Sequence, residues 1–302
     1  MKYLTGAASL FLLTTIAVSH PSAQKVSLPD VLKAAAAYIA QYSDRLQAVS
    51  AEEDYLQLEV SGGQMRATRR LISDVAFVGI GAGRVINYRD VFSMDGNVLR
   101  ERDGRLLKLF QSTSADALVQ AQQITHDGAR RHISPNMQLF DEILAPLAVL
   151  RTEHQGQVRF KLDGVKTTDG VQVATLRFNE ATPLPHVINS PIDEPASGKI
   201  FVEVATGTVR RTELAIADRH TNLRATVIFA PDATLGMWLP ASLAVQSDIT
   251  TAGGGDRNPK TSAPYGVHEA LEGQAKYSKY QQAPVSFKVR VLSPGLKTRP
   301  PS

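Results

Sequence analysis

The chain has 302 residues, with 33 Lys and Arg against 29 Asp and Glu, a formal charge of +4 and 43% apolar residues. These values sit near the averages for globular proteins and exclude a disordered chain, while 21 glycines and 16 prolines exclude a collagenous or low-complexity one. No run of basic residues exceeds two (Arg69-Arg70, Arg130-Arg131, Arg210-Arg211), so the sequence offers no nucleic-acid footprint.

Residues 1–23 read as a signal peptide. Lys2 gives the positive start, Ser9 to Val18 is an apolar stretch too short to span a bilayer, and small residues follow. Cleavage is expected between His20 and Lys25. Cysteine is absent, which removes disulfides, thiol chemistry, Cys-ligated zinc and iron–sulfur clusters. The expected location is a periplasm or the cell exterior.

Ser27-Leu28-Pro29-Asp30 opens a helix, with Ser27 as cap and Pro29 in the first turn. Val31, Ala35, Ile39, Tyr42, Leu46 and Val49 then recur at helical spacing to about Ser50. From Glu52 to Arg100 the period becomes two. Leu56, Leu58 and Val60 alternate with Tyr55, Gln57 and Glu59, and Ser61-Gly62-Gly63, Gly81-Ala82-Gly83 and Asp95-Gly96 mark turns in an antiparallel meander. Residues 104–151 return to helical spacing and form a three-helix insert: Leu106 to Phe110, Ala115 to Ile133 and Met137 to Leu150. Ser112, Thr113 and Ser114 are candidate caps for the second helix, Gly128 interrupts it, and Pro135 and Pro146 bound or kink the third. Leu106, Leu107, Phe110, Leu139, Ile143 and Leu147 are expected to be buried against the sheet.

Strands resume at Val158 to Leu162 and Val171 to Phe178. A loop with four prolines covers residues 181–197. Further strands are expected at 199–204, 209–217, 222–229, 239–249, 269–280 and 286–292, interrupted by a Gly/Pro/polar stretch at 251–265. The tail 294–302 is basic, Pro-rich and expected to be disordered, and no linker divides 24–293, which reads as one domain.

Motifs of catalysis are thin. Gly79-Ile80-Gly81-Ala82-Gly83 is followed by Arg84 and a strand pattern, unlike a dinucleotide fingerprint, so it reads as a turn. The histidines at 20, 126, 132, 154, 186, 220 and 268 are scattered, and His126 and His132 lack the spacing of a helical zinc site. Gly-x-Ser-x-Gly is absent, and Ser22-Ala23-Gln24-Lys25 stands without the companions of a penicillin-binding site. The acids come as adjacent pairs (Glu52-Glu53, Asp141-Glu142, Asp193-Glu194) that face opposite ways on a strand and read as solvated. No catalytic residue, cofactor or metal is assigned. Aromatic residues are spread over most strands, as core or as the lining of an apolar concavity. Trp238, in Leu235-Gly236-Met237-Trp238-Leu239-Pro240, is the candidate ligand-binding residue at a rim; its other reading is a core plug at the sheet end.

Four stretches carry a resemblance: Tyr88-Arg89-Asp90-Val91-Phe92 with Asp95-Gly96; Glu194-Pro195-Ala196-Ser197-Gly198 leading to residues 205–214; Leu235 to Pro240; and Glu272 to Tyr280. Together they resemble an uncharacterised family of secreted bacterial proteins. The later strands are also similar to the outer-membrane lipoprotein-sorting (LolA-like) group. That resemblance implies a curved antiparallel half-barrel whose concave face is covered by helices and accepts lipid chains; it brings no catalytic residue.

The expected fold is α+β: a strongly curved antiparallel sheet, a half-barrel of about ten strands, with the N-terminal helix and the three-helix insert covering one face. The expected function is a periplasmic or secreted carrier or sensor of a lipid-type hydrophobic ligand, non-enzymatic, with peripheral envelope contact and no nucleic-acid partner. The alternative is an envelope interaction or scaffold protein with a filled core; a hydrolase without recognisable motifs ranks third. Oligomeric state is left open.

Overall fold

The computed structural model describes residues 26–46, 49–61, 64–79, 84–111, 116–140, 142–181, 186–188, 192, 194–251 and 267–282. The expected signal peptide, the turn expected at Gly81–Gly83, the candidate caps at 112–114, the strand expected at 286–292 and the tail lie outside them. No helix among the described residues is long and apolar enough to cross a membrane.

Helix α1, Leu28–Arg45, begins as its sequence dictates: the Ser27 hydroxyl accepts from the Asp30 amide at 3.3 Å, and Pro29 occupies the first turn. Its apolar stripe, Val31, Ala35, Ile39 and Tyr42, is buried. The helix stops at Arg45, and Val49, expected to be its last apolar contact, starts the first strand instead.

The fold is α+β, with an open eleven-stranded antiparallel sheet like a half-barrel. In chain order the strands are β1 Val49–Ser61, β2 Gln64–Gly79, β3 Val85–Met94, β4 Asn97–Val98, β5 Val158–Thr168, β6 Val171–Glu180, β7 Ser197–Glu203, β8 Val209–Ala217, β9 Thr221–Asp232, β10 Met237–Thr251 and β11 Val267–Gln282. Their spatial order is β4-β3-β2-β1-β11-β10-β9-β8-β7-β6-β5. Two meanders, β1–β4 and β5–β11, are thus zipped together where β1 pairs with β11. The chain leaves the sheet at one edge, β4, and re-enters at the opposite edge, β5. Everything between them must travel across the sheet.

That crossing is made by α2, Arg105–Gln111, α3, Ala117–Ala129, and three short 3-10 helices at Pro135–Phe140, Ala145–Leu150 and Gln155–Gln157. The third expected helix, 137–150, is therefore realised as two 3-10 turns, the second with Pro146 at its start. Gly128 does not break α3, which runs through it to Ala129. The insert also divides between the faces. Successive side chains of β2 point to opposite sides: Leu71, Val75 and Phe77 join α1 and the Ala145–Leu150 turn in the main core. Ala76 and Val78, with Tyr88 of β3, meet Leu106 and Phe110 of α2 and Ala121 of α3 in a second, smaller core on the outer face. Between the two, α3 lies along β3, and the Thr125 hydroxyl accepts from the Arg89 backbone amide at 2.9 Å, satisfying a donor that β4 is too short to reach.

Of the apolar residues expected under the insert, Leu106, Phe110, Ile143 and Leu147 are buried and Leu107 is half-buried; the Leu139 side chain lies outside the described residues. Two glycines fix α1 to the sheet. A Cβ on Gly207, in the β7–β8 turn at φ +74°, would sit 2.1 Å from the Ala34 carbonyl oxygen of α1. A Cβ on Gly79 would sit 1.9 Å from the Ser43 carbonyl oxygen. Both positions exclude a side chain by close backbone approach.

Candidate functional site

Strand register assembles the first cluster of chemical groups. Glu53 of β1 stands opposite Ser73 of β2 and Tyr277 of β11, and Arg89 of β3 stands opposite Val75, one residue pair along. All four polar side chains lie on the face toward the main core. The Arg89 guanidinium grips Glu53 with two bonds, Nε to Oε2 at 2.6 Å and Nη2 to Oε1 at 2.9 Å, and the Tyr277 hydroxyl donates to Oε1 at 2.9 Å. The side chains are 3% and 0% exposed, so this is a fully desolvated ion pair. Glu53 is therefore not the solvated carboxylate expected from its adjacent acid; Glu52, on the opposite face, is the half-buried one. Burial first, and the neighbouring Glu53 charge second, push the Tyr277 hydroxyl well above the ordinary tyrosine range, so it remains a donor.

Beside the pair, Gln57 Oε1 accepts from the Ile133 amide at 2.9 Å, which leaves Nε2 to donate to His132 Nδ1 at 2.5 Å. The Tyr55 ring lies edge-on to His132 and beneath Arg89, whose guanidinium carbon is 5.6 Å from its centre. Of the two alternating sets of β1, Tyr55 and Gln57 point inward, and Leu56 is 41% exposed. Glu53, Arg89, Tyr277, Gln57 and His132 are hydrogen-bonded within the cluster, whereas the buried Ser73 hydroxyl has no hydrogen-bond partner among the described residues. The cluster closes the concave face over β1, β2, β3 and β11 rather than opening a cleft.

A second charged network lies on the outer face, where Asp90 holds Arg100 and Arg105, and Arg102 bridges Asp74 and Glu52. Arg102 and Arg105 thereby tie the start of the insert to β2 and β3.

The cavity with a ligand-like lining is elsewhere in the inner layer. It measures about 390 Å³, between α1, the start of β3, the 142–151 segment and residues 187–188. Ile39, Tyr42, Val85, Leu144, Leu147 and Ile188 give it apolar walls, and Arg84, Glu142 and Arg151 are its charged members. One wall is set by the Gly79 approach and by the Ser43 hydroxyl donating to the Arg84 carbonyl at 3.0 Å, which holds α1 against the entry to β3. The opposite wall is the Ala145–Leu150 turn.

Two buried polar atoms of its lining residues lack hydrogen-bond partners among the described residues. The Tyr42 hydroxyl is buried with no hydrogen-bond partner among the described residues, although the residue is only 3% exposed. Burial, then the neighbouring Tyr38 and Tyr280, raise it well above the ordinary range, so it stays protonated. Arg151 pairs with Glu153 through Nη2, but its buried Nε has no partner among the described residues. A more open depression of about 300 Å³ over β6–β9 is lined by Phe178, Leu214 and Ala225 together with the polar side chains Arg177, Lys199, Glu213 and Arg224.

Trp238 starts β10, half-buried against the main core, with the Arg210 guanidinium 3.5 Å from its ring centre. It is not among the residues lining the cavity, but it packs on the same core cluster that supplies Ile39, Tyr42, Leu144 and Leu147. Among the described residues no three His, Asp or Glu side chains gather as a metal site. Sequence reasoning placed Tyr42 in the core stripe of α1 and passed over Arg151. Nothing in the local pattern of either marks an unpaired donor, because the vacancy is created by chain segments far apart in sequence.

No protein-family model matches the chain, and no curated protein matches it. Solved structures similar to it include a DUF1329 family protein from Desulfovibrio piger, at 12% identity and a TM-score of 0.33, covering 85% of this chain and 95% of that one. A LolA superfamily protein from Nitrosomonas europaea is 12% identical with a TM-score of 0.31, covering 82% and 93%. A domain from Vibrio parahaemolyticus described as an outer membrane lipoprotein-sorting protein is 11% identical with a TM-score of 0.33, covering 80% and 90%. The LolA-like group that the sequence motifs resemble is thus among the structural neighbours, at an identity that carries no side-chain correspondence.

Proposed function

We propose that the chain is a carrier or sensor of a hydrophobic ligand, acting after export to the periplasm or cell exterior. The observation that carries this reading is the cavity beside α1: about 390 Å³, walled mainly by aliphatic side chains, with Tyr42, Arg84, Glu142 and Arg151 as its polar members. Small-ligand sites run from roughly 300 to 1,000 Å³ and pair apolar walls with a few polar groups, and this cavity has both features. The LolA-like resemblance and the signal-peptide pattern support the same reading.

Trp238 is the proposed reporter of occupancy. It is the chain's single tryptophan and packs against the core that walls the cavity. Titrating the purified mature protein with medium-chain fatty acids, alcohols and phospholipids should change its emission saturably and raise the melting temperature by mass action. Ala148→Trp, which fills the cavity from the turn side, should abolish the thermal response to every ligand. If no lipid class moves either signal in the native protein, the carrier reading fails.

One observation favours the scaffold alternative. The concave face over β1–β3 and β11 is filled by the Glu53–Arg89–Tyr277 cluster and by fully buried Tyr55 and Phe77. A protein of that kind would keep a closed core and bind partners by its surface; it predicts silence in the lipid titration.

A further inference from the structure

We propose that the outer face of β5–β9 is a docking surface for an anionic lipid membrane, met by rows of basic side chains with an apolar pair beside them. The inference goes beyond the carrier reading and makes no use of the cavity. It starts from register. Lys161 of β5 stands opposite Arg177 of β6, and Arg177 opposite Lys199 of β7, so three like charges follow one another across three strands. Their sequence neighbours Leu176, Phe178 and Ile200 are buried in the main core, and alternation therefore puts the row on the outer face. The adjacent outward row, Arg159-Asn179-Ser197-Ala215-Arg224, begins and ends in arginine.

Like charges directly opposite each other destabilise a sheet, and little here offsets them. Asp163 accepts from Arg177 at 2.8 and 2.5 Å and lies 3.8 Å from Lys161. Glu213, opposite Lys199, pairs instead with Arg211 at 2.6 Å. Arg159, Lys199 and Arg224 make no ion pair among the described residues. The helices α2 and α3 pack outside β2 and β3, which leaves Arg177, Lys199 and Arg224 around the open depression over β6–β9.

The apolar pair decides among anionic partners. Phe201 and Ile228 stand on either side of Arg211 in register, and neither belongs to a core. Ile228 is 46% exposed, and the Arg211 guanidinium is 5.3 Å from the Phe201 ring centre. The basic groups spread over five strands, roughly 20 Å at ordinary strand spacing, so a small anion reaches a few of them and a charged surface reaches all. A nucleic-acid duplex answers the charges but not the apolar pair. A membrane interface takes both, the cations at its phosphates and the apolar side chains at the acyl boundary.

The test is cosedimentation of the full mature protein with vesicles of equal phosphatidylglycerol and phosphatidylcholine, with phosphatidylcholine vesicles, and a gel shift with duplex DNA. Native protein should bind the anionic vesicles, leave the neutral ones, and lose about tenfold or more in affinity as salt rises from about 0.05 to 0.5 M. Arg159→Gln, Lys199→Gln and Arg224→Gln combined break no ion pair and should weaken vesicle binding by roughly a hundredfold with an unchanged melting temperature. Lys33→Gln, Arg130→Gln and Arg131→Gln combined remove the same charge from α1 and the insert and should stay within about twofold of native. If both triple variants weaken alike, net charge and not this face is responsible, and the assignment is overturned. It is equally overturned if native protein ignores anionic vesicles, or if duplex DNA binds more tightly than they do. The carrier reading is judged separately, by the emission of Trp238 in the lipid titration.

Discussion

Arg89→Met isolates the buried ion pair at the centre of the sheet. In the native protein Glu53 receives two bonds from Arg89 and one from Tyr277, and its side chain is 0% exposed. Deleting the guanidinium leaves a buried carboxylate with the Tyr277 hydroxyl alone as a side-chain donor, and breaking a buried pair in this way costs about 3–5 kcal/mol. Methionine keeps most of the arginine stem, so the loss is of charge and hydrogen bonds more than of packing. For a domain of this size the melting temperature should fall by roughly 6–20 °C. Urea unfolding read by tryptophan fluorescence gives the free energy directly. The contrast that matters is with Glu53→Leu, Arg89→Met and Tyr277→Phe combined. That triple change removes every member of the hydrogen-bonded set, and buried ion pairs replaced by apolar groups of similar volume are often neutral or stabilising by about 1–4 kcal/mol. The triple variant should therefore recover most of what Arg89→Met loses. An Arg89→Met variant within about 1 kcal/mol of native, or a triple variant as unstable as the single one, would refute the reasoning.

Three further outcomes follow from the packing and the charge network. Phe110→Ala empties the centre of the outer core, where Phe110 is 0% exposed, and should cost about 3–5 kcal/mol in urea unfolding. Gly207→Ala meets both a positive φ of +74° and the Ala34 carbonyl at 2.1 Å, so it should lose at least the roughly 1–3 kcal/mol of a strained backbone and loosen α1, visible as faster amide exchange in that helix. Burial raises the Glu52 carboxyl, but hydrogen bonds from Lys279 and Arg102 outweigh it and hold it below its ordinary 4.5. Because the folded value is the lower one, the stabilisation is present above that ordinary value and fades as pH falls through the folded value. Glu52→Gln should accordingly flatten the acid side of the stability profile, and an unchanged acid limb would remove Glu52 from the account.

What could be read locally was read in α1. Ser27, Pro29 and a stripe of apolar residues three or four apart need only their neighbours to define a helix, and the structure follows them to within a few residues. The facing of β1 could not be read that way. Leu56, Leu58 and Val60 form the greasier set, yet the set turned inward is Glu53, Tyr55 and Gln57. Their polarity is tolerable inside because the partners come from afar: Arg89 is 36 residues away, His132 is 75 and Tyr277 is 224. Alternation measures the average greasiness of a face; it cannot register a polar face made satisfied by other strands. The third insert helix failed for a nearer reason, since Pro146 has no amide to donate and a turn of 3-10 helix asks less of the backbone there than an α-helix.

The same long-range assembly explains where the cavity lies. A sheet whose chain exits at β4 and returns at β5 must carry its insert from one edge to the other, first outside β2 and β3 with α2, then around β3 with α3, then across the inner face with the Ala145–Leu150 turn. Where α3 gives way to that turn, His132 and Ile133 bond to Gln57, joining the polar cluster and sealing the inner face beside it. The turn then meets α1, which the Gly79 and Gly207 approaches hold close to the sheet. Two layers pinned at separate points cannot interdigitate everywhere between them, so the unfilled volume collects at their junction, next to the entry of β3. The polar cluster and the cavity are thus complementary parts of one construction. The first spends the middle of the concave face on rigid hydrogen bonds, and the second is the space that this rigidity keeps from collapsing.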